Sequence, residues 1–557
     1  MTKQNEEKEK KTEKKLEEIQ RQEEENRAKD LASELGFSYI DLRTAPIDET
    51  ALLLATKEES QKAKAVIVQK KQKELYITTL NPKLKETKSF MEKLEKQGYQ
   101  TKILIVSQSN LEKAWQRYED LTIRKTEITK TAEIDIEELK KIQKQIVSVK
   151  DLKEKISKPG LTATQLLNII MASALKLEAS DIHFENEAEE KTRLRFRMDG
   201  ILQDIANVPA SAYQLLLSRI KVLSSLKLNI HNRPQDGRFS FESEGVEIEN
   251  RVSIIPAEYG ENIVIRILDP KTIGLDLEDL GIQDYDFKLI QSELKKPNGM
   301  IITTGPTGSG KTTLLYAFLK KVNRPEIKII TLENPIEYHL KGVEQTQVAP
   351  DKGYTFAAGL RSIVRQDPDM ILVGEIRDNE TATTAINAAL TGHLVFSTLH
   401  TNDAAGAIPR MVDMKVNPSL IPPALNLVIA QRLVRKVCEK CAKQIKPDAK
   451  ILEQIKNGLK DLPARVKKPS LENIKIKQPS EEGCGNCSFT GYKGRIGVFE
   501  LFIIDDPMEK TILKTPSIAE IRETAIKAGM VTMRQDGLLK VLAGITTMDE
   551  VERVLGV

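Results

Sequence analysis

The stretch Met300-Ile301-Ile302-Thr303-Thr304-Gly305-Pro306-Thr307-Gly308-Ser309-Gly310-Lys311-Thr312 decides how this chain folds around its chemistry. Its first five residues predict a buried strand, and the pattern from Thr312 to Lys320 predicts a helix. A glycine-rich loop between a strand and a helix aims backbone N–H groups and a helix N-terminus at phosphates. The predicted nucleotide-binding residues are Gly305, Pro306, Thr307, Gly308, Ser309, Gly310, Lys311, Thr312 and Thr313.

Two side chains of this loop have predicted roles of their own. Lys311 is expected to contact the β and γ phosphates of a nucleotide during catalysis. The Thr312 hydroxyl is expected to be a ligand of Mg²⁺, which prefers oxygen. The loop therefore predicts an ATP site with magnesium.

Acidic residues follow two further apolar runs. Glu375 ends the run 370–374, and open α/β sheets bind ligands at the carboxyl ends of their strands, so it is expected to orient Mg²⁺ and water. The alternative is an ordinary surface glutamate. Glu333 and Glu337 follow the run 327–332 and are expected to polarise the attacking water as general base. For Glu337 alone, a structural role is an equal alternative.

Two of the five histidines flank another apolar run. His393 precedes the run 394–399 and His400 follows it. A histidine at such a place is structural or reaches the γ-phosphate. His400 is the stronger catalytic candidate because it comes after the strand.

Composition limits the class of protein. The chain has 557 residues, enough for several domains, and 85 Lys and Arg against 81 Asp and Glu. This balance neither requires nor excludes a nucleic-acid or membrane partner. No apolar run of membrane-spanning length and no apolar N-terminal signal is found, so the protein is expected to stay in the cytosol.

The pattern changes along the chain predict six segments. Charged residues dominate the first segment and leave no apolar surface to bury. The predicted segments are a charged disordered tail over 1–30, a small α/β domain over 31–125, a linker over 126–160, an arginine-carrying domain over 161–272, a nucleotide-binding core over 273–435, and a cysteine-containing lobe with a helical C-terminal part over 436–557.

A strictly alternating strand lies in the arginine-carrying domain. Residues 193–198 place Arg193, Arg195 and Arg197 on one face and apolar side chains on the other. The apolar face is expected to pack. The arginine face is either available for anions or simply solvated.

The four cysteines form two Cys-x-x-Cys pairs. Such pairs are typical of a tetrahedral structural zinc site, although the long intervening segment leaves a redox or plain core role open. The predicted Zn²⁺ ligands are Cys438, Cys441, Cys484 and Cys487.

Four motifs in this order resemble the secretion ATPase family of type II secretion and type IV pilus motors. Upstream likenesses extend the resemblance from about residue 161 to the C-terminus. The motifs are the glycine-rich loop, the segment Thr331-Leu332-Glu333-Asn334-Pro335-Ile336-Glu337-Tyr338, the segment from Arg365 to Asp378, and the histidine segment 391–403; the upstream likenesses include Ala179-Ser180-Asp181-Ile182-His183 and Pro234-Gln235-Asp236-Gly237-Arg238.

The resemblance implies an α/β architecture with a RecA-like P-loop ATPase core. A preceding α/β (PAS-like) domain, an N-terminal α/β domain and a zinc-binding C-terminal lobe complete the implied fold. It also implies a hexamer in which Arg219, Arg233 and Arg238 complete ATP sites between domains. The family aspartate after Glu333 is Asn334 here, which keeps the hydrogen-bonding shape and loses a charge.

The implied function is a motor that hydrolyses ATP to extend a type IV pilus or a type II secretion pseudopilus. The tetracysteine element resembles the assembly and secretion members rather than the shorter retraction ATPases. The implied partners are an inner-membrane platform protein and, through the first domain, an adaptor protein, with the motor peripheral at the inner face of the membrane. ATP, Mg²⁺ and Zn²⁺ are the implied cofactors, and pilus assembly is favoured over secretion.

Two other functions remain open. A nucleic-acid-translocating ATPase shares the same core, but its expected signature of aromatic residues interleaved with a basic channel is missing, so no nucleic-acid partner is predicted. A non-catalytic ATP-binding scaffold rests on Asn334 alone.

Overall fold

The computed structural model describes residues 22–42, 45, 48–52, 54–71, 74–96, 99–115, 118, 142, 149–156, 160–188, 191–243, 245–270, 274–514 and 516–556. The chain divides into two compact units, Met1–Thr131 and Ala132–Val557. Within the described ranges, no helix is both long and apolar enough to cross a membrane.

The first unit is a four-stranded sheet in the order β1-β4-β3-β2. Alternate residues of β2 enter two separate apolar cores, because Ile67 packs with one cluster and Val66 and Val68 with the other. The strands are β1 Ser38–Tyr39, β2 Ala65–Lys71, β3 Glu74–Thr79 and β4 Gln100–Ile105, and the helices are 22–35, Glu49–Leu52, Lys57–Ala63, Lys85–Lys96 and 108–115.

The N-terminal part of this unit corrects the predicted boundary at residue 31. Residues 22–35 form one helix, and its small side chains Ala28 and Ala32 are buried against Ile105. Alanines in a charged helix give little apolar signal, yet they allow the helix to approach a sheet closely. The charged tail 1–30 therefore contains part of the first domain, while residues 1–21 lie outside the described residues.

The second unit begins with a six-stranded antiparallel sheet in the order β7-β6-β5-β10-β9-β8. One face is apolar and packs on two helices, as the alternating pattern of β6 predicted, since Leu194 and Phe196 are fully buried. The strands are β5 Ala179–Ala188, β6 Lys191–Met198, β7 Ile201–Pro209, β8 Gln235–Ser243, β9 Val246–Ala257 and β10 Gly260–Leu268, and the helices are Ala163–Lys176 and Ala210–Leu223.

Part of the predicted linker 126–160 belongs to this sheet's core. Helix Val149–Ile156 buries Leu152 and Ile156 in the same apolar cluster as the two helices above. Three apolar residues are enough to dock this short charged helix, although they do not form the sustained stripe expected of a core helix. Most other residues of this segment lie outside the described part of the chain.

A seven-stranded sheet in the order β13-β12-β14-β15-β11-β16-β19 forms the core. All its neighbouring strands run parallel except β16 and β19, and its central strands are buried along their whole length. The strands are β11 Gly299–Thr304, β12 Ile329–Glu333, β13 Glu344–Gln347, β14 Met370–Val373, β15 Leu394–Leu399, β16 Leu425–Val437 and β19 Tyr492–Ile503.

Helices cover both faces of this core sheet. Helix Lys311–Val322, here called the P-loop helix, follows β11 and packs on one face with the 3₁₀ segment Leu277–Leu280. The other helices of the core are Asp284–Glu293, Phe356–Ile363, Asn379–Leu390, Ala407–Asp413 and Ile421–Ala424.

The C-terminal lobe is continuous with the core sheet, which corrects the predicted division at 435/436. Strand β16 runs across that division, and β19, which follows the last cysteine, returns to pair with β16 in antiparallel register. The remaining elements of the lobe are β17 Lys443–Ile445, β18 Ile476–Gln478 and helices Ala449–Gly458, Asp506–Ile512, Ile518–Lys527, Met533–Leu542 and Met548–Leu555.

Candidate functional site

The glycine-rich loop connects β11 to the P-loop helix, as predicted. Gly305 has φ 147°, and a Cβ at that position would lie 2.6 Å from the Gln431 carbonyl oxygen. Gly310 has φ 91° and caps the N-terminus of the helix. Glycine is the residue that fits both positions, because both have positive φ and leave little room for a Cβ.

A cavity of about 740 Å³ lies at the carboxyl ends of the core strands. The structure brings most predicted residues together in its wall, and Gly305 and Pro306 form the base of the loop instead. The predicted residues that line the cavity are Thr307, Gly308, Ser309, Gly310, Lys311, Thr312, Thr313, Glu333, Glu375 and His400. We call this cavity the cleft.

Lys311 is nearly buried at the cleft. Its Nζ donates hydrogen bonds to the carbonyl oxygens of Gly305, at 2.7 Å, and Pro306, at 3.1 Å. Burial lowers the pKa of Lys311 to about 8, with the Glu375 carboxylate opposing and the Arg432 guanidinium adding to the shift. The amine is therefore a cation that is held by neutral carbonyls and is well placed to exchange them for phosphate oxygens.

Glu333 ends β12 and is only 3% exposed, although it forms part of the cleft wall. Three neutral donors from the described part of the chain reach its carboxylate. The Tyr316 hydroxyl donates to Oε2, the Thr331 hydroxyl donates to Oε1 at 2.6 Å, and Gln345 Nε2 donates to Oε1 at 3.1 Å. None of these partners was singled out from the sequence, because they come from three different elements.

Glu375 and His400 lie together at the ends of β14 and β15. Glu375 Oε2 is 2.6 Å from Arg377 Nε and 3.5 Å from His400 Nε2. The pKa of His400 is lowered, first by burial and then by the Lys311 charge, which outweigh the opposing Glu375 carboxylate. His393 lies at the other end of β15, where its Nδ1 is 2.9 Å from the Ala388 carbonyl oxygen, and this contact gives it a structural role.

The two polar residues after Glu333 have different surroundings. Asn334 lines the cleft beside Glu333. Glu337 lines it as well, but its Oε2 is 3.1 Å from NH1 of Arg251, whose NH2 also donates to the Ile336 carbonyl at 3.0 Å. Glu337 therefore ties the six-stranded sheet to the core, which is the structural alternative raised above.

The arginines in the cleft wall are not the three predicted to complete ATP sites. Arg219, Arg233 and Arg238 do not line the cleft of their own chain. Among the residues that the structure describes, four other arginines do, and two of them come from the six-stranded sheet. The arginines lining the cleft are Arg197, Arg266, Arg377 and Arg495.

Arg197 and Arg266 are braced by one acidic side chain. The nearly buried Asp181 accepts from Arg266 Nε at 2.9 Å and lies 3.2 Å from Arg197 Nε. Arg193 and Arg195 on the same face of β6 also pair with acidic residues but do not line the cleft. Of the three arginines on this face, Arg197 is the one that meets the cleft, and Arg266 could have been found only through the pairing of β10 with β5.

The four cysteines converge as predicted. Their sulfur atoms all lie within 4.8 Å of one another, with 3.8 Å from Cys438 to Cys484 and 3.8 Å from Cys441 to Cys487. All four are free thiols. A tetrahedron with metal–sulfur bonds of about 2.3 Å has sulfur–sulfur edges of about 3.8 Å, so the donor set fits a tetrahedral thiolate metal site.

Two backbone N–H groups and one side-chain amide support this cluster from outside. The N–H groups of Cys484 and Gly491 donate to the Cys487 sulfur at 3.2 and 3.3 Å, and Asn486 Nδ2 lies 3.6 Å from the Cys438 sulfur. Such donors stabilise the thiolate form that metal ions bind.

Comparison with known proteins places this geometry in context. A family model described as "Type II/IV secretion system protein" matches residues 160–553. The Type II secretion system protein E of Pectobacterium carotovorum is 46% identical over 390 residues, which cover 70% of this chain and 75% of that protein. The Type IV pilus assembly ATPase PilB of Myxococcus xanthus is 34% identical over 530 residues, which cover 94% of this chain and 89% of that protein.

A solved structure shares the fold. The X-ray structure of the Legionella pneumophila ATPase DotB aligns with a TM-score of 0.51 and 22% identity, over 71% of this chain and 97% of that chain. At this level of identity the likeness concerns the fold alone.

Proposed function

The chain belongs to the type II/IV secretion system protein family, and from this premise we propose how its cleft drives a motor ATPase of pilus assembly or secretion. The observation that carries the proposal is that Lys311, Glu333 and Glu375 line one cavity with the glycine-rich loop. Three of the four motifs quoted for the resemblance supply these side chains.

The substrate's phosphates would lie against the loop. Backbone N–H groups at the start of the P-loop helix and the Lys311 cation would hold the β and γ phosphates. Thr312 would be a protein ligand of Mg²⁺, and Glu375 would hold the metal's water. When bound, Mg²⁺ would neutralise charge on the phosphate oxygens.

Glu333 would orient and polarise the attacking water. Its carboxylate is fixed by three donors, and the cleft excludes bulk solvent from its buried side. His400, whose pKa is lowered by burial and by Lys311, would be a neutral hydrogen-bonding partner of Glu375 and of the γ-phosphate. The reaction is hydrolysis of a phosphoanhydride.

Two sets of arginines would couple hydrolysis to movement. Arg197 and Arg266 of the six-stranded sheet face the chain's own cleft, so they are placed to follow the phosphate charge when the two sheets move. Arg219, Arg233 and Arg238 face elsewhere, which is compatible with a role at the cleft of a neighbouring subunit in a hexamer. The nucleotide would thus contact both the core sheet and the six-stranded sheet.

The four cysteines would hold one Zn²⁺ that orders the lobe carrying β19. Because β19 is a strand of the core sheet, the metal site would stabilise the sheet edge nearest the lobe. This lobe would contact an inner-membrane platform protein, and the first unit would bind an adaptor protein. The motor would then lie at the inner face of the membrane.

We favour pilus assembly over type II secretion. The pilus assembly relative aligns over 94% of this chain, and a match of that length includes residues of the first unit. The secretion relative is more similar in sequence but aligns over 70%. A strain that lacks the gene is expected to lose pili and keep secretion of exoproteins, and the reverse result would assign the motor to secretion.

Phosphate release tests the enzymatic part. Purified protein with Mg²⁺ and ATP is expected to release phosphate at a rate that single-stranded or duplex DNA leaves unchanged. Stimulation by DNA would favour the nucleic-acid motor, and a complete lack of turnover would favour the scaffold function suggested by Asn334.

A further inference from the structure

Tyr316 occupies an unusual place for a fully buried aromatic residue. It lies on the P-loop helix five residues after Lys311, is 1% exposed, and still contributes to the cleft wall. Its ring packs edge-on against Tyr338, with 4.5 Å between centroids. The ring is therefore fixed between the P-loop helix and the segment after Glu333.

The hydroxyl of this ring meets the carboxylate of Glu333. It donates to Oε2, whereas Thr331 and Gln345 donate to Oε1. Gln345 Nε2 is also 3.4 Å from the Tyr316 oxygen and 3.1 Å from the Tyr338 carbonyl, and so joins the same network. Tyr316 is the one described donor to Oε2.

The phenol keeps its proton in this position. Burial raises the pKa of Tyr316, and the negative charge of Glu333 raises it further. A buried phenol beside a carboxylate consequently stays protonated and donates a hydrogen bond at every pH at which the enzyme works. It can hold the carboxylate, but it does not exchange protons with it during turnover.

We propose that Tyr316 is a positioning residue for hydrolysis, because its hydroxyl fixes the Glu333 carboxylate toward the water that attacks the γ-phosphate. This inference rests on the proposed role of Glu333. Hydrogen bonds between a neutral donor and a buried charged acceptor are among the stronger ones in proteins, and a small rotation of a general base reduces the rate steeply. The same residue links the helix that follows the phosphate-binding loop to the base.

The test compares Tyr316→Phe with Tyr354→Phe. The control removes a phenol hydroxyl of the same unit that is 3.2 Å from the Thr346 hydroxyl and does not line the cleft. Steady-state phosphate release over a range of ATP concentrations is measured for both. We expect kcat to fall about tenfold in Tyr316→Phe with KM within twofold, and both constants to stay within twofold in the control.

A double-mutant cycle distinguishes positioning of Glu333 from a general structural effect. Added to Glu333→Gln, which removes the base, the Tyr316→Phe change is expected to lower the residual rate by less than twofold. An equal tenfold loss in both backgrounds would overturn the inference, because Tyr316 would then act independently of Glu333.

Two further outcomes separate this inference from the proposed function. If Glu333→Gln retains only a small residual rate and Tyr316→Phe keeps its kcat within twofold, Tyr316 has no positioning role and the role of Glu333 stands. If Glu333→Gln keeps the kcat of the unchanged protein, the role of Glu333 fails and the inference fails with it.

A second variant covers poor folding of the first. Thr331→Val removes one of the two donors to Oε1 at nearly constant volume and leaves Gln345 in place. We expect a severalfold loss of kcat that likewise disappears in the Glu333→Gln background. Retention of full kcat by this variant would overturn the idea that the donors around Glu333 position it.

Discussion

In the cleft, side chains from the six-stranded sheet and from the core sheet face one cavity of about 740 Å³, whereas the four-cysteine cluster brings four sulfur atoms from two short segments within 4.8 Å of one another. The cluster is complete inside one lobe, so its geometry depends on local folding. The cleft is complete only while the two sheets keep their present arrangement. Changes in the cleft should therefore reduce turnover without unfolding the chain. Changes in the cluster should act first on the stability of the fold.

The largest expected effect is on turnover in Lys311→Ala. Removing the cation that contacts the phosphates should lower kcat by at least about 1000-fold, because this charge stabilises the transition state in a site that excludes water. Phosphate release measures the loss, and circular dichroism should show an unchanged fold.

Lys527→Ala is the matched control, since Lys527 is exposed and pairs with Glu523 on an outer helix. It should keep full activity. Turnover above a tenth of the normal rate in Lys311→Ala would contradict the assignment of the cleft as the hydrolytic site.

Changes in the cysteine cluster should lower stability. Cys441→Ser is expected to lose the bound metal and to lower the free energy of unfolding by about 3–5 kcal/mol, because three ligands no longer close the site. Metal analysis should find one zinc per unchanged chain and none in the variant, and thermal unfolding should record the loss of stability.

Thiol titration provides an internal check. The chain has four cysteines and all belong to the cluster. They should be unreactive in the metal-loaded protein and all four should react after chelation. Fewer than four thiols in the unfolded, unreduced protein would indicate a disulfide and support the redox alternative.

The two regions also differ in how far the sequence predicts them. A Cys-x-x-Cys pair and a glycine-rich loop set their own geometry through residues that are neighbours in sequence, and the structure has both where expected. Arg266 and Tyr316 escaped prediction because their positions depend on which strands and helices become neighbours. Arg266 lies opposite Asp181 only through the pairing of β10 with β5, and a one-strand change in sheet order would remove it from the cleft.

The same reason explains the misplaced domain boundaries. Residues 22–30 look like solvent-exposed tail by composition, yet Ala28 contributes a small buried contact. Strand β19 lies beyond the cysteines in sequence and still completes the core sheet. Composition reports how much surface a segment can bury on average, and long-range pairing decides where it does so.

The arginines allow a test of which chain completes the cleft. Arg266→Ala and Arg238→Ala should each lower kcat/KM by at least about tenfold, the former at its own cleft and the latter at a neighbour's. Mixing either variant with Lys311→Ala then separates the two cases. The Arg238→Ala mixture should recover turnover, because its intact loop receives Arg238 from the Lys311→Ala subunit.

The Arg266→Ala mixture should gain no turnover over the Arg266→Ala protein alone, since no subunit in it has both an intact loop and its own Arg266. Recovery in this mixture would place Arg266 at a neighbouring cleft. Failure of the Arg238→Ala mixture would remove Arg238 from the intersubunit role and leave Arg219 and Arg233 to be tested in the same way.

A smaller effect is expected from pH. The pKa of Lys311 is lowered to about 8 by burial, so raising the pH from about 7 to about 8.5 should weaken ATP binding about fourfold as the amine loses its charge. The contribution to stability has the opposite sign, because the folded chain loses this proton near pH 8 and the unfolded chain only near pH 10.5. The penalty of burying the charge therefore falls as the pH rises from about 8 to about 10.5.

Equilibrium binding of a fluorescent ATP analogue between pH 6.5 and 9 measures this step. Lys311→Ala binds more weakly but should show no step in the same range. Parallel pH profiles for the two proteins would assign the titration to another group, with His400 excluded because its pKa is lowered from an already acidic value.

The smallest effect is expected where the chain departs from its family. Asn334 lines the cleft next to Glu333, and Asn334→Asp restores the charge while keeping the shape. The added carboxylate should lower the magnesium concentration for half-maximal turnover by about twofold, since Mg²⁺ prefers charged oxygen ligands. It should change kcat by less than about threefold, because Glu333 and Glu375 already supply the carboxylates of the site.

Titration of phosphate release with magnesium at saturating ATP measures both quantities, and Asn323→Asp, outside the cleft, is the control. A tenfold gain in kcat would mean that the natural amide limits this motor, and the carboxylates described here would then be insufficient for full activity.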